Sequence, residues 1–183
     1  MALDPREYVN RLPEIRALVN KVVQKNMADG ILFSAGTDTT IIAYEAVKYK
    51  PNIKPLTMAF KHGSPKDTEY VKKMVAFLKL ENHETHVFGR DEVLSNAPKV
   101  VETLKTFDPM EVRNSMPVYI GLTIMKAKGI KSVFTGDGLD ELFGYPWLFH
   151  LSETELQQKL EDMWAEMGFS SIPMGKSIGV AIK

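Results

Sequence analysis

The 183-residue sequence contains no cysteine, which excludes a disulfide framework, a thiol nucleophile and a thiolate metal site. It also lacks a net charge, because 23 lysine and arginine residues balance 23 aspartate and glutamate residues. Nucleic-acid-binding domains usually show a basic excess, so we do not expect a nucleic-acid partner. No apolar run approaches the ~20 residues that span a bilayer, and the N-terminus has no apolar stretch typical of a signal peptide. We therefore expect a cytoplasmic protein with no membrane partner.

The composition that remains, 44% apolar and 25% charged, is that of an ordinary globular protein. The length suits one domain with a buried core, so residues 1–183 are predicted to form a single domain. Short apolar runs alternate with segments of helical periodicity, which predicts an α/β fold: a parallel sheet with helices on both faces. The predicted strands cover 31–33, 55–60, 84–88 and 130–135. The predicted helices cover 6–27, 38–50, 113–128 and 151–167. Two further helices are predicted, one that begins at Ser64 and one whose start is marked by Asp91 and Pro98. The residues after 167 are not assigned.

A loop rich in hydroxyl groups follows the first predicted strand, at positions 34–40. The helix after it presents free backbone N–H groups and the positive end of its dipole, and Gly36 allows a ligand to come close. Asp38 suits such an anion site only if a divalent cation lies between it and the phosphates. The loop therefore favours a metal-bound polyphosphate. The alternative is a plain connection in which a Ser or Thr caps the helix.

A second loop, at positions 135–145, follows the fourth predicted strand and carries Asp137, Asp140 and Glu141. Carboxylates this close together repel one another unless a cation or a proton offsets their charge. The Gly-Asp-Gly sequence at 136–138 allows close backbone approach to a ligand. The alternative is a solvated acidic loop with an Asp as a helix cap.

Both loops resemble motifs of one enzyme superfamily. Ser-Ala-Gly-Thr-Asp-Thr at 34–39 is similar to the S-G-G-x-D-S loop of the ATP pyrophosphatases, the PP-loop enzymes. It departs from that pattern at Ala35, which replaces a glycine, and at Thr39, which replaces a serine. The first departure matters more, because a Cβ restricts the backbone wherever φ must be positive.

The remaining motifs resemble the synthetase domain of the asparagine synthetase family. Positions 135–145 are similar to its S-G-E-G-S-D-E-x-F-G-G-Y segment, with Asp137 for Glu, Leu139 for Ser and one glycine fewer. Positions 112–119 resemble its R-x-S-x-P-x-Y helix start, and 60–65 resemble the loop after its second strand. Together these ordered matches cover about two-thirds of the chain, from residue 30 to 150.

The resemblance implies an adenine nucleotide alpha hydrolase-like fold with strand order 3-2-1-4, ATP and Mg²⁺ as cofactors, and one crevice that both loops face. Asp38 and Asp140 would share the Mg²⁺. Arg113 would clamp the leaving pyrophosphate, with a surface arginine as the alternative, and Asp137 would act as a general base or a positioning group. The residues implied for the pyrophosphate are Ser34, Gly36, Thr37 and Thr39, and those for the adenosine side are Phe33, Ala59, Phe60, Thr135 and Gly136.

The implied reaction is adenylation of a small carboxylate, aspartate or a similar acid, followed by displacement of AMP by ammonia. Glutamine-using members carry a glutaminase domain with a cysteine at position two, whereas this sequence has Ala2 and no such domain. Ammonia would thus be free or come from a separate amidotransferase subunit, and a homo-oligomer is left open. One alternative is a degenerate ATP-binding module, inactivated by Ala35, Leu139 and the early C-terminal end. The other is a different PP-loop enzyme, such as one that modifies tRNA.

Overall fold

The structure, a computed structural model, describes residues 9–183 and contains a five-stranded parallel sheet. Its strands, numbered along the chain, lie in the order 3-2-1-4-5, which confirms the predicted α/β class and the predicted order 3-2-1-4. The fifth strand lies in the C-terminal segment that the sequence pattern left unassigned, and it pairs with the fourth. The strands are β1 (Gly30–Leu32), β2 (Lys54–Phe60), β3 (Glu84–Phe88), β4 (Ser132–Phe134) and β5 (Ala181–Ile182).

Helices cover both faces of the sheet, as predicted. Successive strand residues point to opposite faces, so Ile31 lies in one apolar cluster and Leu32 packs against the other. Two apolar cores result, one on each side of the sheet. The helices are α1 (Leu12–Lys25), α2 (Thr37–Tyr49), α3 (Pro65–Leu78), α4 (Arg90–Leu104), α5 (Pro109–Ala127), α6 (Leu139–Phe143), α7 (Glu153–Glu166) and α8 (Ser171–Ile178), with a 3-10 turn at Pro146–Leu148.

The first predicted helix, 6–27, corresponds to α1, and its first residues and Ala2 lie outside the described range. None of the helices within residues 9–183 is both long enough and apolar enough to cross a membrane.

Helix α5 begins one turn earlier than the sequence predicted. Asp108 is its N-cap: the carboxylate accepts hydrogen bonds from the backbone N–H groups of Met110 (2.8 Å) and Glu111 (2.9 Å). Pro109 takes the first helical position, where its missing N–H costs nothing. The predicted start at residue 113 is wrong because the prediction places Pro117 near the helix start, whereas Pro117 lies inside α5. Pro98 likewise lies inside α4.

Asp29 links the amino ends of neighbouring strands. Its carboxylate accepts hydrogen bonds from Lys50 Nζ at 2.7 Å and from Ser132 Oγ at 3.1 Å. The hydrogen bond from Lys50 is the main cause that lowers the pKa of Asp29 below its ordinary value. The ionised carboxylate therefore stabilises the fold.

We expect Asp29→Asn to lower the free energy of unfolding at pH 7 by less than about 1 kcal/mol, because both charged partners are partly exposed. The folded-state pKa is depressed, so this stabilisation is present above the unfolded pKa of about 3.9 and is lost as the pH falls through the folded pKa. Urea unfolding of the wild type and the variant should thus give curves that differ at pH 7 and converge in acid. A difference that does not change with pH would contradict this account.

Candidate functional site

The first predicted loop leaves the sheet at Phe33, which follows β1 and is buried. The Ser34 hydroxyl oxygen accepts a hydrogen bond from the Gly36 N–H at 3.2 Å and lies 3.0 Å from the Thr39 hydroxyl. Gly36, which has no side chain, is the N-cap of α2, and Thr37 is its first residue. The loop thus folds back on itself and leaves the positive end of the α2 dipole open to an anion.

Ala35 has a φ of +61°, in the left-handed region that favours glycine. This is the position at which the chain departs from the glycine of the PP-loop pattern. Ala35 as a residue is 2% exposed and belongs to a buried apolar cluster, so its methyl group packs inside the protein while its backbone is strained. The strain is of the order of 1–2 kcal/mol.

The second predicted loop leaves the sheet at Thr135, directly after β4. The Thr135 hydroxyl is buried and donates a hydrogen bond to Asp137 Oδ2 at 3.2 Å. Gly138 has a φ of +100° and is the N-cap of α6, whose first turn holds Asp140 and Glu141. The side-chain bond from Thr135 therefore fixes the orientation of the Asp137 carboxylate above the end of β4.

The two loops are in contact, because β1 and β4 are adjacent parallel strands. A Cβ added at Gly136 would lie 3.1 Å from Thr39 Cγ2 and 3.4 Å from Asp38 Cβ. A methyl group at position 136 would therefore require Thr39 to shift by a few tenths of an ångström. This close approach places Asp38 beside the second loop.

The electrostatics of the site link Asp38 to the second loop. Burial raises the pKa of Asp38, and the negative charges of Asp140 and Glu141 raise it further. The pKa of Tyr145 is raised by burial and then by the same two carboxylates, and its hydroxyl donates to Glu141 Oε1 at 3.3 Å. The site therefore concentrates negative charge, which favours a bound cation.

The carboxylates fit a magnesium ion only if a ligand supplies further oxygen atoms. Within residues 9–183, no three His, Cys, Asp or Glu side chains are grouped closely enough to enclose a metal. Mg²⁺ characteristically binds one or two carboxylates and completes its shell with water and phosphate oxygens. The donor set at Asp38 and Asp140 suits that mode of binding.

A cleft of about 280 Å³ lies between the loops and α5. Seven predicted site residues line it: Phe33, Ser34, Asp38, Thr39, Thr135, Gly136 and Asp137. Five further residues, which sequence reasoning missed, form an apolar side: Leu32, Leu56, Met58, Pro117 and Val118. The cleft thus has a polar end at the loops and an apolar end against β2 and α5.

The other predicted residues lie outside this lining. Gly36 and Thr37 begin α2, and Asp140 is exposed in the first turn of α6. Arg113 is exposed on α5, one turn before Pro117 at the cleft. Ala59 and Phe60 end β2. The Phe60 ring packs against Phe88, with centroids 5.5 Å apart.

Some of the missed apolar residues could have been predicted from the sequence. Leu56 and Met58 alternate along β2 and share the face that α5 covers. Pro117 and Val118 line the cleft because α5 packs against β2. The Asp-Pro pair at 108–109 is a strong helix-start signal and predicts that α5 begins at Pro109.

Comparison with known proteins gives a family match over most of the chain. The family model described as asparagine synthase matches residues 14–177. An asparagine synthetase B (glutamine-hydrolyzing) of Escherichia coli is 31% identical over 163 residues, which cover 79% of this chain and 29% of the relative. An asparagine synthetase (glutamine-hydrolyzing) of Arabidopsis thaliana is 29% identical over 147 residues, which cover 74% of this chain and 25% of the relative.

Among solved structures, an NMN synthetase from Francisella tularensis matches with a TM-score of 0.46 and 12% identity. That match covers 97% of this chain and 72% of the other. A similarity at this level supports no functional conclusion.

Proposed function

This chain belongs to the asparagine synthase family, and on that premise we propose that it is an ATP-dependent amide-forming ligase. A carboxylate oxygen of aspartate or a similar acid attacks the α-phosphorus of ATP, and the bond to pyrophosphate breaks. The nitrogen of ammonia then attacks the acyl carbon, and AMP leaves with the electron pair of the acyl–oxygen bond. The chain spans under a third of the length of the curated relatives it matches. The activity of the whole enzyme is therefore a proposal for this chain, supported by its site.

One observation supports this proposal most: the contact between the two loops at the carboxyl ends of β1 and β4. Gly136 of one loop lies against Asp38 and Thr39 of the other, and the pKa of Asp38 is raised by burial and then by the charge of Asp140. Ligands of open parallel sheets bind at such a crevice, where the connections diverge. Helix N-terminus, hydroxyl groups and carboxylates meet there, as a metal-bound triphosphate requires.

The polar end of the cleft would hold the phosphates. The open N-terminus of α2 and the hydroxyl groups of Ser34, Thr37 and Thr39 would donate to pyrophosphate oxygens, with Gly36 allowing close approach. Mg²⁺ held by Asp38 and Asp140 would supply positive charge next to those oxygens. Donors of this kind stabilise the charge that develops on the leaving pyrophosphate. Arg113, one turn before the cleft on an exposed helix face, would add a clamp once ATP is bound.

The apolar end of the cleft would hold the nucleoside. Leu56, Met58, Pro117 and Val118 present an apolar surface for the flat adenine ring, next to Phe33, Thr135 and Gly136. Ala59 and Phe60 would form its outer margin at the end of β2.

Asp137 is the proposed general base or positioning group for the acid and the amine. Thr135 orients its carboxylate, and Asp137 lines the cleft beside the phosphate loop. A carboxylate there can accept a proton as ammonia attacks the acyl carbon.

We propose that residues 1–183 act as one synthetase-like domain that uses ammonia. Both relatives are named as glutamine-hydrolyzing enzymes. Ammonia would be free or would come from a separate amidotransferase subunit.

ATP–pyrophosphate exchange tests the proposal directly. With Mg²⁺, ATP and labelled pyrophosphate, we expect the label to enter ATP only when an acid substrate is present. Aspartate heads the panel, and reactions without acid or with EDTA are the controls. ATP binding without exchange for any acid would favour the second candidate, a degenerate ATP-binding module, which the strained Ala35 specifically supports.

Ala35→Gly separates these two candidates. We expect a change in the free energy of unfolding of less than about 1 kcal/mol, because relief of the backbone strain is offset by the lost methyl and by a more flexible unfolded chain. The exchange rate should also stay within about threefold of the wild type, since the loop already adopts the positive φ. Exchange by Ala35→Gly in the absence of wild-type exchange would show that Ala35 had inactivated the site.

A further inference from the structure

A chain of hydrogen bonds leads from the half-buried His83, through the buried Thr57, to the main chain at the start of the first loop. The Thr57 hydroxyl donates to the Phe33 carbonyl oxygen at 2.6 Å, and His83 Nε2 lies 2.8 Å from Thr57 Oγ1. Phe33 is 1% exposed and Thr57 is 6% exposed. The His83 ring also packs edge-on against the Phe33 ring, with centroids 6.2 Å apart. None of the roles assigned above uses Thr57 or His83.

Which atoms donate and which accept in this chain of hydrogen bonds follows from the single hydrogen of the Thr57 hydroxyl. A carbonyl oxygen can only accept, so the single hydroxyl hydrogen of Thr57 goes to Phe33. His83 Nε2 must therefore donate to Thr57 Oγ1. Hydrogen bonds aligned in this way polarise one another, so the bond at the Phe33 carbonyl is strengthened by His83.

Phe33 is the point at which the chain leaves the sheet. Its N–H still donates to the Leu56 carbonyl at 2.8 Å, as in a strand, whereas two residues later Ala35 has a φ of +61°. The Phe33 carbonyl and the Ser34 N–H belong to one planar peptide unit. A bond that fixes the carbonyl therefore also fixes the direction in which residues 34–37 depart.

We propose that Thr57 and His83 are positioning residues for the phosphate end of the site. They hold the Phe33 carbonyl so that residues 34–37 keep the strained conformation that receives the phosphates of ATP. This inference rests on the proposed function, because it assigns phosphates to that loop. Thr57 and His83 act through Phe33 and touch no ligand themselves.

A role in phosphate positioning and a merely structural role affect the binding of different ligands. Loss of general stability would weaken the binding of every ligand, whereas a misplaced loop weakens the binding of ligands that carry the triphosphate. Adenosine occupies the apolar end of the cleft, where Phe33 is its one proposed contact next to the loop, so its affinity should depend on residues 34–37 far less than that of ATP. The ratio of the dissociation constants for ATP and adenosine therefore reports the role of Thr57 and His83.

Thr57→Val is the main test, because valine keeps the shape of threonine and removes the hydroxyl. If the loop then holds its binding conformation a tenth of the time, the dissociation constant for MgATP rises about tenfold. The dissociation constant for adenosine should stay within about twofold of the wild type. Thr57→Ser keeps the hydroxyl and should restore MgATP affinity. Calorimetry measures both ligands, and urea unfolding measures stability in parallel.

His83 provides a second route that leaves β2 intact. His83→Ala removes the outer donor and should weaken MgATP binding about threefold with adenosine unchanged, whereas His83→Gln supplies an amide N–H and should restore it. Two results would overturn this inference without touching the proposed function. One is an equal loss of affinity for ATP and adenosine; the other is wild-type MgATP affinity in both Thr57→Val and His83→Ala. If the wild type itself does not bind MgATP, the proposed function fails together with the inference.

Discussion

Asp38→Asn is expected to reduce ATP–pyrophosphate exchange by about 10³-fold, because a metal ion contributes several kcal/mol of charge stabilisation and each 1.36 kcal/mol is a factor of ten. Asparagine keeps the size of the side chain but removes the charge that holds Mg²⁺. Initial exchange rates at saturating ATP, aspartate and Mg²⁺ measure the effect. Asp91→Asn is the matched control: Asp91 is exposed in the first turn of α4, and its loss should leave exchange unchanged.

The same substitution is expected to make the metal-free protein more stable at pH 7, by less than about 1 kcal/mol. Burial and the charges of Asp140 and Glu141 raise the pKa of Asp38, so its ionised form opposes folding. A raised folded-state pKa means that stability increases as the pH falls through that pKa, and the asparagine variant should lack this increase. Urea unfolding in EDTA at several pH values measures both effects. Lower stability of Asp38→Asn throughout would contradict the account of the charges.

A double-mutant cycle tests whether Asp38 and Asp140 hold the same ion. If they do, either substitution to asparagine removes most of the benefit of the ion, and the double variant loses little more than each single one. Losses that multiply would indicate that the two carboxylates act separately. Nearly normal exchange by Asp140→Asn would show that Asp140 does not hold the ion, even if Asp38 is essential.

The two loops could be predicted from sequence because their signals are local. Each combines the end of an apolar strand with small residues and carboxylates within a short stretch, as at 34–39 and 135–141. Their meeting depends on the adjacency of β1 and β4, which no local pattern encodes. The family resemblance supplied that order, and the pairing of Ile31 with Phe134 confirms it.

The apolar end of the cleft was missed because its residues are far apart in the sequence. Leu56 and Met58 come from β2, and Pro117 and Val118 from α5, so only the packed fold brings them together. Strand β5 was missed for a related reason. It has two residues, too few for any periodicity, and it is a strand only because it pairs with β4.

Gly136→Val is expected to reduce exchange by about 10²-fold, the usual cost of a shift of about 1 Å in an active site. Position 136 has no positive φ, so the backbone accepts valine and the effect comes from contact alone. The new Cβ would meet Thr39 at 3.1 Å and Asp38 at 3.4 Å. The tight contact is with Thr39, which is buried and bonded to Ser34, so valine forces the two loops apart.

Gly168→Val is the matched control for this steric test. A Cβ added at Gly168 has no atom within 4 Å, and its φ is not positive, so exchange and stability should both match the wild type. Gly136→Ala should fall between the two, because its single methyl needs a shift of only a few tenths of an ångström. We expect the exchange rate to fall stepwise from glycine to alanine to valine at position 136 and to stay constant at position 168. That result would show that exchange depends on the distance between the loops. Equal exchange in Gly136→Val and Gly168→Val would mean that the contact between the loops does not support the chemistry.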